Sequence, residues 1–154
     1  MTAFEPWRLE RAEEIIAGYA DLEGAVLPML QAVQATFGHV PPAAVALVSA
    51  ALNLSRAEVY GAKSFYHDFR EAPPGRRVVK VCRAESCQAM GCDAAARFLL
   101  ADLGIDWGGT SADGAVTVEA VYCLGLCAVS PAALIDGEPL GRLDGMTLTQ
   151  AARA

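Results

Sequence analysis

The sequence has no apolar run long enough to cross a bilayer. The longest, residues 41–54, covers 14 positions and is interrupted by Ser49 and Asn53, whereas a membrane helix needs about 20. The start, residues 1–14, mixes charges of both signs and holds no apolar stretch, so no signal peptide is expected. A cytoplasmic chain without direct membrane insertion is the expectation. An excess of positive charge is also missing. Twelve basic against 18 acidic side chains give a net charge of −6; residues 1–72 carry 5 and 9 of them, residues 73–154 carry 7 and 9. Neither half suits nucleic acid or an anionic surface. Histidine is scarce, with only His39 and His67, both distant from the cysteines in sequence. No Gly-x-Gly-x-x-Gly, P-loop or Ser/His/Asp arrangement occurs, so neither a nucleotide site nor nucleophilic catalysis is expected of the chain itself.

What is present is a folded chain: 154 residues, 54% hydrophobic and 19% charged, far from the composition of disorder. The segment Glu71-Ala72-Pro73-Pro74-Gly75 divides it, because two prolines and a glycine stop helix propagation. The expected division is a helical bundle over 1–72 and a second domain over 76–154. In the first part a helix is expected near residues 10–19. Leu22, Val26, Leu30, Val33 and Phe37 form the stripe of a second, with Pro28 tolerable only in its first turn. Gly38 should end it. Pro42 should open a third helix carrying Val45, Val48 and Leu52, and Ser55-Arg56-Ala57-Glu58 has the spacing of a capping box.

Beyond the division, residues 77–81 read as a strand, 88–103 as one helix with Ala89, Cys92, Ala96, Leu99 and Leu103 on a face, and 115–122 as a second strand. Residues 132–135 and 138–141 flank Asp136-Gly137, a hairpin signal. A short helix closes the chain from 146. The fold class is therefore α+β, with one crossover long enough for a parallel strand pair. Val79, Val81, Val118, Val121 and Leu134 are the expected sheet core. Ser64-Phe65-Tyr66 with Phe69 is assigned to the bundle core, with a partner-docking face as the alternative. Trp7 and Trp107 are read as packing residues.

The five cysteines carry the chemistry. An odd count in a cytosolic chain disfavours a disulfide framework. Cys82 and Cys87 enclose four residues, Cys123 and Cys127 three, and 35 separate the pairs. Each pair follows a predicted strand, where loops held by a sheet can wrap a ligand. Four cysteines also suit structural zinc, but zinc knuckles usually bracket two residues. The wider gaps favour a two-iron cluster with one thiolate pair on each iron, and zinc in a non-redox interaction module stays open as the alternative. Cys92 lies on the apolar helix face and reads as a small buried hydrophobe. A free thioredoxin-type oxidoreductase would need Cys-x-x-Cys, which is absent. Gly91 and Gly125 bracket the two loops, and Gly125 is expected to let backbone fold close around sulfur.

Val81-Cys82-Arg83-Ala84-Glu85-Ser86-Cys87-Gln88 and Cys123-Leu124-Gly125-Leu126-Cys127-Ala128-Val129-Ser130-Pro131 resemble the thioredoxin-like [2Fe–2S] ferredoxin family. That family includes the 24 kDa subunit of respiratory complex I, its counterpart in NAD-linked hydrogenases and the gamma subunit of NAD-dependent formate dehydrogenases. Leu27-Pro28-Met29-Leu30-Gln31, Gly38-His39-Val40-Pro41 and Val59-Tyr60-Gly61-Ala62-Lys63-Ser64-Phe65-Tyr66 resemble the helical domain of these subunits, so the likeness runs from about residue 8 to 145. It implies a thioredoxin-like domain holding one [2Fe–2S] cluster on Cys82, Cys87, Cys123 and Cys127. It also implies electron exchange with the FMN of an NAD-binding flavoprotein subunit, and no catalysis by the chain alone. The loop Arg83-Ala84-Glu85-Ser86 with Gln88 is most similar to the formate dehydrogenase gamma type. That likeness implies a further partner subunit with molybdenum or tungsten.

Overall fold

A computed structural model describes residues 4–154. Its contacts divide into two compact units, one ending at Pro73 and the other running from Pro74 to Ala154.

The first unit is built from four helices, α1 (Leu9–Ala17), α2 (Val26–Phe37), α3 (Pro42–Leu52) and α4 (Arg56–Phe65). Its core is Ala12 and Ile16 from α1, Met29, Leu30, Val33 and Phe37 from α2, Val45 and Val48 from α3, and Val59 from α4. Trp7 packs edge-on against Phe37 with ring centroids 4.8 Å apart. Pro28 falls in the first turn of α2, where its missing N–H would have had no intrahelical acceptor. Leu22 departs from its expected stripe. Residues 18–25 form turns, and Leu22 stays 49% exposed ahead of α2. The capping box forms: the Ser55 hydroxyl accepts from Glu58 N–H at 3.2 Å, and Glu58 Oε2 accepts from Ser55 N–H at 2.8 Å. The Gln34 amide ties down the segment after α4, donating to Asp68 O and accepting from Arg70 N–H, both at 2.7 Å.

The expected placement of Ser64, Phe65 and Tyr66 in the bundle core is overturned. Phe65 is 74% and Tyr66 45% exposed, and only Phe69 packs against the core. Phe65 closes α4, and Tyr66 caps it with extended backbone, so both rings leave the helix face that carries Val59.

The second unit holds β1 (Arg77–Cys82), α5 (Glu85–Ala89), α6 (Cys92–Leu103), β2 (Val116–Val121), a 3₁₀ turn (Cys127–Val129), β3 (Ala132–Ile135), β4 (Glu138–Gly141) and α7 (Gly145–Arg153). The strands lie in the order β2-β1-β3-β4. β1 and β2 run parallel, from Arg77 beside Val116 to Cys82 beside Val121; β3 and β4 add antiparallel. Asp136 (φ 51°) and Gly137 (φ 90°) make the hairpin turn as their dipeptide predicts. Ala95, Ala96 and Leu99 of α6, with Leu148 and Ala152 of α7, pack on Val79, Val81, Val116, Val118 and Ala133.

Two expectations are corrected here. Val121 and Leu134 are half-buried. The register sets Leu134 beside Lys80 and Val121 beside Cys82, which puts both on the sheet face opposite Val79 and Val81. The expected single helix over 88–103 is two helices. Met90 and Gly91 interrupt it, and Gly91 holds φ +93°, a left-handed conformation that a glycine adopts without steric cost.

Candidate metal centre

β1 delivers Cys82 at its last position. Arg83 extends the pairing by one bond, its N–H donating to Val121 O at 2.8 Å. The chain then turns at Ala84 into α5, which sets Cys87 in that helix's first turn. Cys82 and Cys87 are both buried, in a cluster with Cys92 and Ala132 that Val121, Leu124 and Leu126 cover in part.

The second pair sits at the end of β2 and is exposed. Cys123 has φ +74° and Gly125 φ +75°, so the loop winds tightly between its two cysteines. The Sγ atoms of Cys123 and Cys127 lie 4.0 Å apart, and Gly125 N–H points at Cys123 Sγ from 3.4 Å. Two thiolates about 2.3 Å from one tetrahedral metal would be ~3.8 Å apart, so this pair already spans nearly one metal's width. The positive φ of Gly125 is what turns its N–H onto the Cys123 sulfur.

The loops reach each other. Burial works to raise the Cys82 pKa, but N–H groups of Ala84, Cys123 and Leu124 and the Cys87 thiol hydrogen-bond its sulfur and together hold it below the ordinary thiol value. Two of these donors belong to the second loop. Cys127 is pushed the other way, first by its hydrogen bond with Cys123, then by the charge of Cys123, by burial, and by charge on Cys87 and Cys82. Charge on Cys123, Cys87 and Cys82 disfavours ionisation of Cys127, and iron, by supplying positive charge, would relieve it. The residues therefore fit a cluster held by four thiolates. Among the described residues, no three His, Cys, Asp or Glu side chains gather around one point as a single-ion site; the sulfurs stand as two pairs.

Cys92 starts α6, fully buried. Burial first, then the Asp93 carboxylate and charge on Cys87 and Cys82, push its thiol up to about 11, with Arg83 opposing. It stays protonated at neutral pH. Arg83 is held by Asp93 Oδ1 at 3.3 Å and lies 5.0 Å over the Trp107 ring, so Trp107 meets the ligand loop's cation as well as packing on the sheet core. His39 and His67 both lie in the first unit; His39 Nδ1 is 2.9 Å from Phe37 O.

The contact between Ser86 and Ser130 carried no signal in the sequence. Their hydroxyls meet at 2.9 Å across 44 residues, and Ser130 Oγ also lies 3.7 Å from Cys87 Sγ and 2.8 Å from Cys127 O.

Comparison with known proteins agrees with this geometry. The family model described as thioredoxin-like [2Fe–2S] ferredoxin matches residues 12–154. An NADH-quinone oxidoreductase subunit of Rhizobium meliloti is 34% identical over 139 residues, covering 90% of this chain and 83% of its own. The NADP-reducing hydrogenase subunit HndA of Solidesulfovibrio fructosivorans is 28% identical, with 84% and 76% covered. An NAD⁺-reducing [NiFe]-hydrogenase solved in its air-oxidized state superposes with a TM-score of 0.69 at 30% identity over 83% of this chain, which spans only 22% of that one.

Proposed function

The chain belongs to the thioredoxin-like [2Fe–2S] ferredoxin family, whose cofactor is one [2Fe–2S] cluster, and from that membership we propose that Cys82, Cys87, Cys123 and Cys127 hold it. Its type is that of the electron-transfer subunits of NADH-quinone oxidoreductases and NAD-linked hydrogenases. The observation that carries the ligand assignment is the meeting of the two loops: Leu124 and Leu126 pack against the cluster of Cys82 and Cys87, Ser130 Oγ joins Cys87 Sγ at 3.7 Å to Cys127 O at 2.8 Å, and the Cys123 and Cys127 sulfurs lie 4.0 Å apart.

When bound, such a cluster accepts and returns one electron at a time. The protein's part is to hold and insulate. Cys82 and Cys87 are buried behind Ala132, Val121, Leu124 and Leu126, which exclude water from one side. Cys123 and Cys127 are exposed beside Tyr122, 72% exposed, and this open side is where an electron enters or leaves. Backbone N–H groups aimed at Cys82 favour thiolate there, and Gly125 N–H points at Cys123 Sγ.

The electron partner is the FMN of an NAD-binding flavoprotein subunit, and the first unit, which contains no cysteine, docks it. The parent complex is a cytoplasmic NAD-dependent formate dehydrogenase with a molybdenum- or tungsten-containing subunit, a reading supported by Arg83-Ala84-Glu85-Ser86 and Gln88. The 34% identity to the Rhizobium meliloti NADH-quinone oxidoreductase subunit favours a second reading, a complex I type of assembly. No described helix is long and apolar enough to cross a membrane. Co-purification from the native cell decides between the two. Formate-dependent NAD reduction in the isolated complex supports the first; membrane-bound partners with quinone reduction overturn it.

A further inference from the structure

We infer that Ser130 is a positioning residue for the cluster, its hydroxyl donating a hydrogen bond to the sulfur of Cys87 and raising the ease of reduction, with Ser86 holding that hydroxyl in place. The inference rests on the proposed ligand set.

Ser130 Oγ stands among three groups: Cys127 O at 2.8 Å, Ser86 Oγ at 2.9 Å and Cys87 Sγ at 3.7 Å. Two of these neighbours are proposed ligands, one from each loop. The hydroxyl has one proton to give and two lone pairs to offer. With Cys87 a thiol, the thiol can donate to Ser130 while Ser130 donates to Cys127 O. Once Cys87 is a thiolate ligand it has no proton, and the contact persists as a hydrogen bond only if the Ser130 proton turns toward sulfur. Ser86 can then donate to the freed lone pair of Ser130, which keeps the oxygen fixed and strengthens its donor character.

Reduction adds one negative charge to the cluster and its sulfurs. A donor aimed at sulfur stabilises the charged form, and hydrogen bonds to sulfur are among the determinants of these potentials. Both serines are half-buried, so water replaces the lost donor only in part. The same hydroxyl links α5 to the turn after Cys127 and so fixes the distance between the loops.

The test is an EPR-monitored redox titration of the full chain carrying its cluster, compared with Ser130→Ala, Ser130→Thr and Ser86→Ala. Electron–nuclear double resonance in deuterated water accompanies it. Ser130→Ala should keep its iron, lose one exchangeable deuteron coupling, and shift the reduction equilibrium constant down by about tenfold, equivalent to 59 mV in a one-electron couple. Ser130→Thr should stay within about twofold of the unaltered chain, and Ser86→Ala should shift in the same direction by less. If Ser130→Ala fails to hold iron, the Thr and Ser86→Ala results carry the test. An unchanged potential in both alanine variants, or a Thr shift as large as that of Ala, overturns the inference and leaves the ligand set standing. Absence of any two-iron signal in the unaltered chain overturns the ligand set and this inference together.

Discussion

At the scale of single residues, Cys92 and Gly125 separate what spacing can reveal from what it cannot. Cys92 is buried beside Cys82 and Cys87, but it stands at the start of α6, outside the two paired loops that already supply four sulfurs. Cys92→Ser should therefore leave iron at about two per chain, as a two-iron cluster requires, with an unchanged visible spectrum. Loss of that spectrum in a folded variant would make Cys92 a ligand. Gly125→Ala should weaken cluster retention through backbone strain, about 1–2 kcal/mol for a side chain forced into the left-handed region. Iron-release rates under a chelator measure it, and an unchanged rate would contradict it. The paired cysteines were legible because each loop is a local pattern behind a β-branched strand. The contact between Ser86 and Ser130 was not, because it joins residues 44 apart that only strand pairing brings together.

At the scale of elements, the reading succeeded where a signal is contained within a few residues. The box at Ser55, the hairpin at Asp136-Gly137 and the proline opening of α3 are all of this kind. It failed where one residue breaks a continuing period: the apolar spacing runs on through Gly91, so α5 and α6 read as one helix. It failed again at Val121 and Leu134, because which sheet face a strand residue occupies depends on a register set by its neighbours. Ser55→Ala should cost the first unit about 1 kcal/mol, the usual worth of an N-cap. The Ser55 hydroxyl, and then its backbone N–H, hold the Glu58 carboxyl below its ordinary value. A lowered pKa in the folded state adds stability above the unfolded pKa, about 4.3, and loses it as pH falls through the folded value. The gap between Ser55→Ala and the unaltered chain should therefore be wide at neutral pH and narrow in acid. Denaturant titrations at both pH values check this, and a gap independent of pH would mean that Glu58 does not take part.

At the scale of the whole molecule, one unit carries the cysteines and the other the exposed rings of Tyr60, Phe65 and Tyr66. Periodicity marks those rings as apolar but cannot say whether a core or a partner covers them. Phe65→Ser should change stability by no more than about 0.5 kcal/mol, as exposed positions do, leave iron content unchanged, and weaken binding of the flavoprotein subunit in a pull-down or calorimetric titration. Undiminished binding would move the docking surface elsewhere. The central claim is the all-cysteine two-iron centre, and an EPR-monitored redox titration of the unaltered chain tests it most directly. The account predicts a red-brown protein that becomes paramagnetic on taking up one electron. Its midpoint should lie at or below that of the NAD couple, at roughly −400 mV as in four-cysteine two-iron ferredoxins. The surface charges of Arg76, Arg77, Lys80, Arg83 and Glu85 should shift it only slightly, because solvent and salt screen them. A colourless protein with stoichiometric zinc, or a midpoint above about −150 mV where histidine-ligated centres begin, would contradict it.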